Sequence, residues 1–185
     1  NHLAELGCNI VRLHLYDNNA FTAQNKPRVN IFGDGAASSN LSEKRMAQLD
    51  YLIAKLKEQG IYIYLDLDSA RVYTSQDGVI VGKTDKFGNS EEKRGIYFDR
   101  ATIAARKRFA RELLLHRNPW TGLRYVEEPA IALIDLANEN SVFLLDVWRK
   151  LDGPYLETYT KLWNAWLLRR YADQQKLKAA WGNSL

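Results

Sequence analysis

The sequence holds almost nothing with which to staple itself or bind a metal. One of its 185 residues is cysteine, Cys8, so no disulfide can close within the chain. Cys8 opens an apolar segment and is expected to be a buried core thiol. The three histidines (His2, His14 and His116) share no ligand spacing with one another or with Cys8. Neither a zinc site nor a cofactor is therefore expected. There is no run of about 18 apolar residues, so no membrane span is expected. The chain starts at Asn1 without a signal-peptide pattern and stops just after Gly182. Both ends read as cut, and the expectation is a partial domain.

What is present describes a globular protein. Hydrophobic residues make up 46% and charged residues 26%, enough apolar material for one real core. The net charge of +4 comes from 26 basic and 22 acidic residues that are interspersed. The densest basic run, Arg106-Lys107-Arg108 through Arg111, has helical spacing. It is expected to be a solvated helix face, and no nucleic-acid partner is assigned. The composition leaves the oligomeric state open.

The periodicity alternates between helix and strand. Residues 1–6 end a helix at Gly7, and Asn9–Tyr16 reads as a strand. Val11, Leu13 and Leu15 share one face of it; Arg12, His14 and Tyr16 share the other. A polar loop over 17–41 precedes a helix from Ser42 to Gly60, striped by Met46, Leu49, Leu52, Ile53 and Leu56. Ile61–Leu67 is the second strand, with Tyr62, Tyr64, Asp66 and Asp68 opposite its apolar face. A loop over 69–98 leads to a helix from about Arg100 to His116. Ala130–Ala137 is nearly all apolar, as in a buried parallel strand. A last helical region covers about 154–180, where Tyr155, Tyr159, Leu162, Trp163, Trp166 and Leu167 form one broad face, read as packing rather than a sugar platform.

Strand–helix alternation implies an α/β fold with parallel strands and helical crossovers. Both long loops follow strands and so lie at their carboxyl ends, where such folds place their sites. Gly33-Asp34-Gly35-Ala36-Ala37-Ser38 breaks the dinucleotide fingerprint at its third glycine and lies mid-loop, against a nucleotide binder. Polar residues within the strands, Arg12 and His14 on one and Tyr64 and Asp66 on the next, favour a barrel. Its lumen tolerates them, whereas an open sheet buries both faces under helices.

The segment most specific for chemistry is Ile134-Asp135-Leu136-Ala137-Asn138-Glu139-Asn140-Ser141, an apolar strand that stops at Asn-Glu-Asn. Glycoside hydrolysis needs a carboxyl kept protonated beside the leaving oxygen and a second carboxylate. A partly desolvated Glu at the lip of a strand suits the acid role, and a neighbouring Asn can bind a sugar hydroxyl without adding charge. The segment resembles the fourth strand of retaining (β/α)8-barrel glycoside hydrolases, especially the cellulase-like family 5. Gly7-Cys8-Asn9-Ile10-Val11-Arg12-Leu13-His14 resembles that family's second strand. Leu49-Asp50-Tyr51-Leu52-Ile53 through Gly60-Ile61-Tyr62 is similar to its next helix and strand. Asn118-Pro119-Trp120-Thr121-Gly122-Leu123, Leu162-Trp163-Asn164-Ala165-Trp166-Leu167 and Ala180-Trp181-Gly182 are similar to stretches flanking the fourth strand.

The resemblance covers nearly the whole chain. It implies an incomplete (β/α)8 TIM barrel, with residues 1–185 a partial catalytic domain from about strand 2 to helix 4. It also implies a carbohydrate substrate with β-linkages, a retaining double-displacement mechanism and a secreted or periplasmic enzyme. Glu139 takes the acid/base role, Asn138 and His14 contact the sugar, and Arg12 positions a nucleophile that this chain does not contain. Tyr16, Tyr64 and Trp120 are stacking candidates with core roles as the alternative.

Two departures matter. Relatives often carry a His at the end of the third strand, where this chain has Asp68. Asp66 and Asp68 are accordingly candidates for substrate binding, or, with Arg71, for an ion pair that holds the loop. The nucleophile belongs at a seventh strand, and a full barrel takes about 250 residues. The isolated 185-residue piece is therefore expected to lack hydrolase activity. The alternative function is a non-catalytic carbohydrate-binding or scaffold protein on a degenerate barrel. Alternation also places Asn138 and Glu139 on opposite faces unless the strand is bulged or ended there, and it puts Asp135 in the barrel interior, in a structural role.

Overall fold

The computed structural model describes residues 2–14, 16–17, 31–32, 41–69, 71–82, 95–138 and 151–182. Glu139, most of the loop over 17–41 and residues 70 and 83–94 of the loop over 69–98 lie outside the described residues. Three strands, β1 (Ile10–Leu13), β2 (Tyr62–Asp66) and β3 (Ile131–Asp135), form one parallel sheet in the order β1-β2-β3. Among the described residues, helices α1 (His2–Glu5), α2 (Glu43–Glu58), α3 (Arg100–Leu115), α4 (Gly153–Tyr171) and α5 (Gln174–Trp181) accompany the sheet. This is the α/β arrangement of three parallel strands with intervening helices. Each strand is shorter than its sequence pattern predicts.

The core lies on one face of the sheet. Ile61, Ile63, Leu65 and Leu67 are all buried, as period-two alternation requires of a strand covered on that side. They pack against Met46, Leu49, Ile53 and Leu56 of α2 and Phe109 and Leu113 of α3. Leu52, counted in the α2 stripe, stays exposed. Gly7 and Gly60 end their helices in the left-handed region, at φ +76° and +70°, where a side chain would be strained. Asp99 caps α3 by accepting from the Thr102 backbone amide at 2.8 Å, whereas Ser42 precedes α2 without a side-chain cap.

Several residues differ from expectation. Cys8 is only half-buried. Lys107, Arg108 and Arg111 are exposed, but Arg106 turns inward to Asp68. The last helical region is broken at Ala172 (φ +65°), with Asp173 capping α5. Within α4 only Tyr155 is buried. Trp163 and Trp166 stack on each other at 5.1 Å with Trp181 nearby, and both remain 41% exposed. The tryptophan end of the face packs against itself and α5, while Tyr155 and Tyr159 pack with Leu151 and Phe98.

Tyr155 anchors α4 through its hydroxyl, which donates to the Ile80 carbonyl at 2.6 Å. Its ring lies against Gly95, where an added Cβ would stand 2.7 Å from Tyr155 Cε1 and 3.2 Å from Asp99 Cβ. Gly95→Ala should therefore expel the ring and destabilise the protein by about 1–3 kcal/mol. Urea unfolding would measure this, and an unchanged midpoint would mean that α4 shifts without cost.

Candidate functional site

β1 and β2 run side by side with Arg12 level with Tyr64 and Leu13 level with Leu65. The side chains opposite the core therefore stand together at the carboxyl ends of the strands. β3 joins them through an irregularity. Ile63 pairs with Ile131, but Tyr64 pairs with Leu133, so one extra residue of β3 is taken up between them. The shift sets Asp135 level with Asp66.

Arg12 is the hub. Its Nε donates to Asp66 Oδ1 at 3.0 Å and Oδ2 at 3.2 Å. Its terminal nitrogen donates to Asp135 Oδ2 at 3.1 Å and to Asn138 Oδ1 at 2.8 Å. The guanidinium also lies over the Tyr64 ring, 4.8 Å from its centroid, and the Tyr64 hydroxyl donates to Asp135 Oδ2 at 3.2 Å. His14 Nδ1 pairs with Asp66 Oδ2, and the Tyr16 hydroxyl donates to the Asp66 carbonyl. Asp66 is fully buried, whereas Arg12 is part-exposed.

The electrostatics follow. Hydrogen bonding to Asp66 raises the Arg12 pKa further, so the group is a permanent cation. Burial, followed by the charges of Asp17, Asp66 and Asp68, pushes Tyr16 well up. Desolvation and the bond to Asp135 raise Tyr64. Both phenols therefore stay protonated and act as donors. Asp66 and Asp135 are both engaged by Arg12, and the Asp66 side chain is fully buried.

The structure thus gathers Arg12, His14, Tyr16, Asp66 and Asn138 into one group. Asp135 and Tyr64 belong to it as well. The sequence signal for Asp135 was its parity with Glu139, read there as a structural interior position. Asp68 does not join them. Its Oδ2 accepts from Tyr73 at 3.0 Å and meets Arg106 Nε at 2.8 Å, in a second buried cluster beneath the loop. Arg71 pairs with Asp77 at 2.9 Å and is enclosed by the rings of Phe32, Tyr73 and Phe109. The ion pair expected of Arg71 with Asp66 or Asp68 is instead made with Asp77, six residues along the same loop. Trp120 lies in the connection between α3 and β3, at the amino ends of the strands, edge-on to Tyr51 at 5.3 Å. Asp17 was not singled out by sequence. Fully buried, it accepts from the Ser69 backbone amide at 2.8 Å and ties the end of β1 to that of β2.

Asn138 reaches Arg12 because β3 ends at Asp135, before alternation would turn Asn138 away. Its backbone amide donates to the Asp68 carbonyl at 3.0 Å. Among the described residues, no group of three or more His, Cys, Asp or Glu could hold a metal ion. No helix among them is long and apolar enough to cross a membrane.

No protein-family model and no curated protein matches the chain. Solved structures do. A glycoside hydrolase family 5 mannosidase from Rhizomucor miehei superposes with a TM-score of 0.50 at 16% identity, over 75% of this chain and 37% of its own. A hyperthermostable endo-1,4-β-D-mannanase from Thermotoga petrophila RKU-1 gives 0.49 at 26% identity, over 74% and 38%. An endo-1,4-β-mannanase from Rhizomucor miehei gives 0.46 at 20% identity, over 74% and 37%. The fold is that of part of a (β/α)8 barrel. The chain spans 30–38% of the length of the structures it matches.

Proposed function

We propose that this chain is the part of a retaining β-glycosidase that carries the general acid/base, Glu139, and the sugar-binding Asn138. The observation that carries the reading is the bond from Arg12 to Asn138 at the carboxyl ends of three parallel strands, the end at which barrels of this kind do chemistry. Arginine has no acceptor, so the Asn138 oxygen must face it. The amide NH2 is then the part of Asn138 left for a sugar hydroxyl. Glu139 follows directly in sequence and would give its proton to the departing oxygen, then deprotonate the incoming water.

The nucleophile belongs to the remainder of the barrel. Asp66 and Asp135 are committed to Arg12, and the sheet itself is open: Leu133, Ile134 and Leu136 of the β3 segment are exposed apolar residues. A strand beside β3 and a helix across it would cover them. The substrate class is a β-linked oligo- or polysaccharide. The residues at the group suit hydroxyl recognition, with the side-chain amide of Asn138 as donor, the Tyr64 hydroxyl oxygen as acceptor and a fixed cation on Arg12.

The test uses the protein with its complete barrel, incubated with soluble β-1,4-linked mannan, glucan and xylan. Reducing ends and the anomeric configuration of the first product would be read by NMR. Release of β-configured product from one of the three is expected. Inverted product would overturn retention; binding without release would favour the non-catalytic carbohydrate-binding protein. Arg12→Ala in the same assay should lower kcat/KM on the order of tenfold to a hundredfold by displacing Asn138. An unchanged value would remove Arg12 from the site.

A further inference from the structure

We propose that Asp135 is the positioning residue of this site, ending β3 with one oxygen and fixing the plane of Arg12 with the other, so that together they set where Asn138 stands. The proposal rests on the glycosidase reading only for its catalytic consequence.

Counted from Asp135 by alternation, Asn138 should face away from Arg12. It instead accepts from Arg12 at 2.8 Å. Two contacts of Asp135 account for the turn. Its Oδ1 accepts from the Ala137 backbone amide at 3.3 Å. This side-chain bond two residues onward is the Asx turn, a local alternative to continuing the strand, and Asp135 is the last residue of β3. Its Oδ2 accepts from the Arg12 terminal nitrogen at 3.1 Å and from the Tyr64 hydroxyl at 3.2 Å.

The second contact supplies what Asp66 cannot. Both Asp66 oxygens meet one donor, Nε, rather than the two-nitrogen fork of a bidentate pair. A guanidinium held at one N–H can still pivot about that bond. Asp135 provides a second point of attachment, at the nitrogen that also serves Asn138. Removing it frees that nitrogen to swing, and Asn138 loses a fixed donor. The backbone bond from Asn138 to the Asp68 carbonyl holds the main chain but not the side-chain amide.

The experiment separates the two oxygens. Asp135→Asn keeps an oxygen for Ala137 and loses the charge that holds Arg12; Asp135→Glu keeps the charge on a side chain too long for the turn. The protein with its complete barrel is labelled with 15N, and exchange with water is followed at the Arg12 terminal N–H groups that meet Asp135 and Asn138, the Ala137 amide and the Asn138 side-chain amide. In D135N, exchange at Arg12 should rise about tenfold and the Asn138 side-chain signals should shift, with Ala137 still protected. In D135E, Ala137 should lose protection. Arg12→Lys approaches from the other side: its single ammonium cannot bridge both partners, so the Asn138 side-chain signals should move while Ala137 does not. Leu133→Ala, on the same strand, should change none of these. Unmoved Asn138 signals in both D135N and R12K would overturn the proposal, and either variant alone suffices if the other does not fold.

In the complete enzyme, D135N should lower kcat about tenfold on natural substrates. Unchanged kcat with shifted spectra would overturn the catalytic consequence and leave the placement standing. Absence of hydrolysis by the wild type would overturn the glycosidase reading while the spectra still decide the role of Asp135.

Discussion

On the proposed acid/base role, Glu139→Gln in the protein with its complete barrel should hydrolyse unactivated β-glycosides on the order of a thousandfold more slowly, while still reacting with aryl glycosides whose leaving group needs no proton. Glutamine has the shape of glutamic acid and nothing to donate. An alkoxide leaving group depends on that proton; a dinitrophenolate does not. The first step therefore survives on the activated substrate, but the second still lacks its base. Glycosyl-enzyme should accumulate, giving a burst followed by a slow steady state. Azide, a nucleophile that needs no deprotonation, should restore turnover on the activated substrate and yield a β-glycosyl azide. The burst, the azide product and the split between substrates are all read by stopped-flow and NMR. A uniform loss on both substrates, or no loss, would remove Glu139 from the acid/base role.

How much of this was legible in the sequence depends on where alternation holds. In β2 it holds throughout. Ile61, Ile63, Leu65 and Leu67 are buried, with Tyr64 and Asp66 opposite, as counted. It lapses beyond the strand end. Asp66 and Asp68 share parity, yet Asp66 meets Arg12 and Asp68 meets Arg106. In β3 there was no alternation to count, because Ile131, Leu133 and Ile134 are all apolar, so the extra residue that aligns Asp135 with Asp66 left no mark. The pairing of Arg12 with Asp66 is diagonal across two strands and depends on register, which sequence does not state. The aromatic face of α4 was readable as a face, but not as one whose tryptophans stack on each other and α5 while Tyr155 and Tyr159 meet Leu151 and Phe98. Residue type and periodicity thus named most members of the group. Register and strand ends decided which of them meet.

Asp50→Ala should cost about 3 kcal/mol of stability and lower Tm by roughly 6–12 °C in a chain of this size. Asp50 is 2% exposed on the inner side of α2. Its Oδ1 accepts from the Tyr125 hydroxyl at 2.8 Å, and His116 Nε2 meets its two oxygens at 3.0 and 2.9 Å. The Asp50 carbonyl accepts from the Asn118 amide at 2.9 Å. His116, Asn118 and Tyr125 all belong to the connection from α3 to β3, so one carboxylate ties α2 to the segment that delivers β3 into the sheet. Burial raises the Tyr125 pKa and keeps it a donor, so alanine would strand a buried phenol and an imidazole at once. Asn118 keeps its bond, because that bond is to the backbone. Asp50→Asn, which retains an acceptor for Tyr125, should lose less. Urea unfolding measures both, and a loss below about 1 kcal/mol for alanine would mean that water replaces the carboxylate. The network lies at the amino ends of the strands and the Arg12 group at their carboxyl ends. Barrels of this kind separate stability from chemistry along that axis. Asp50→Ala should therefore lower Tm without changing kcat/KM per folded molecule, whereas Asp135→Asn should change the site.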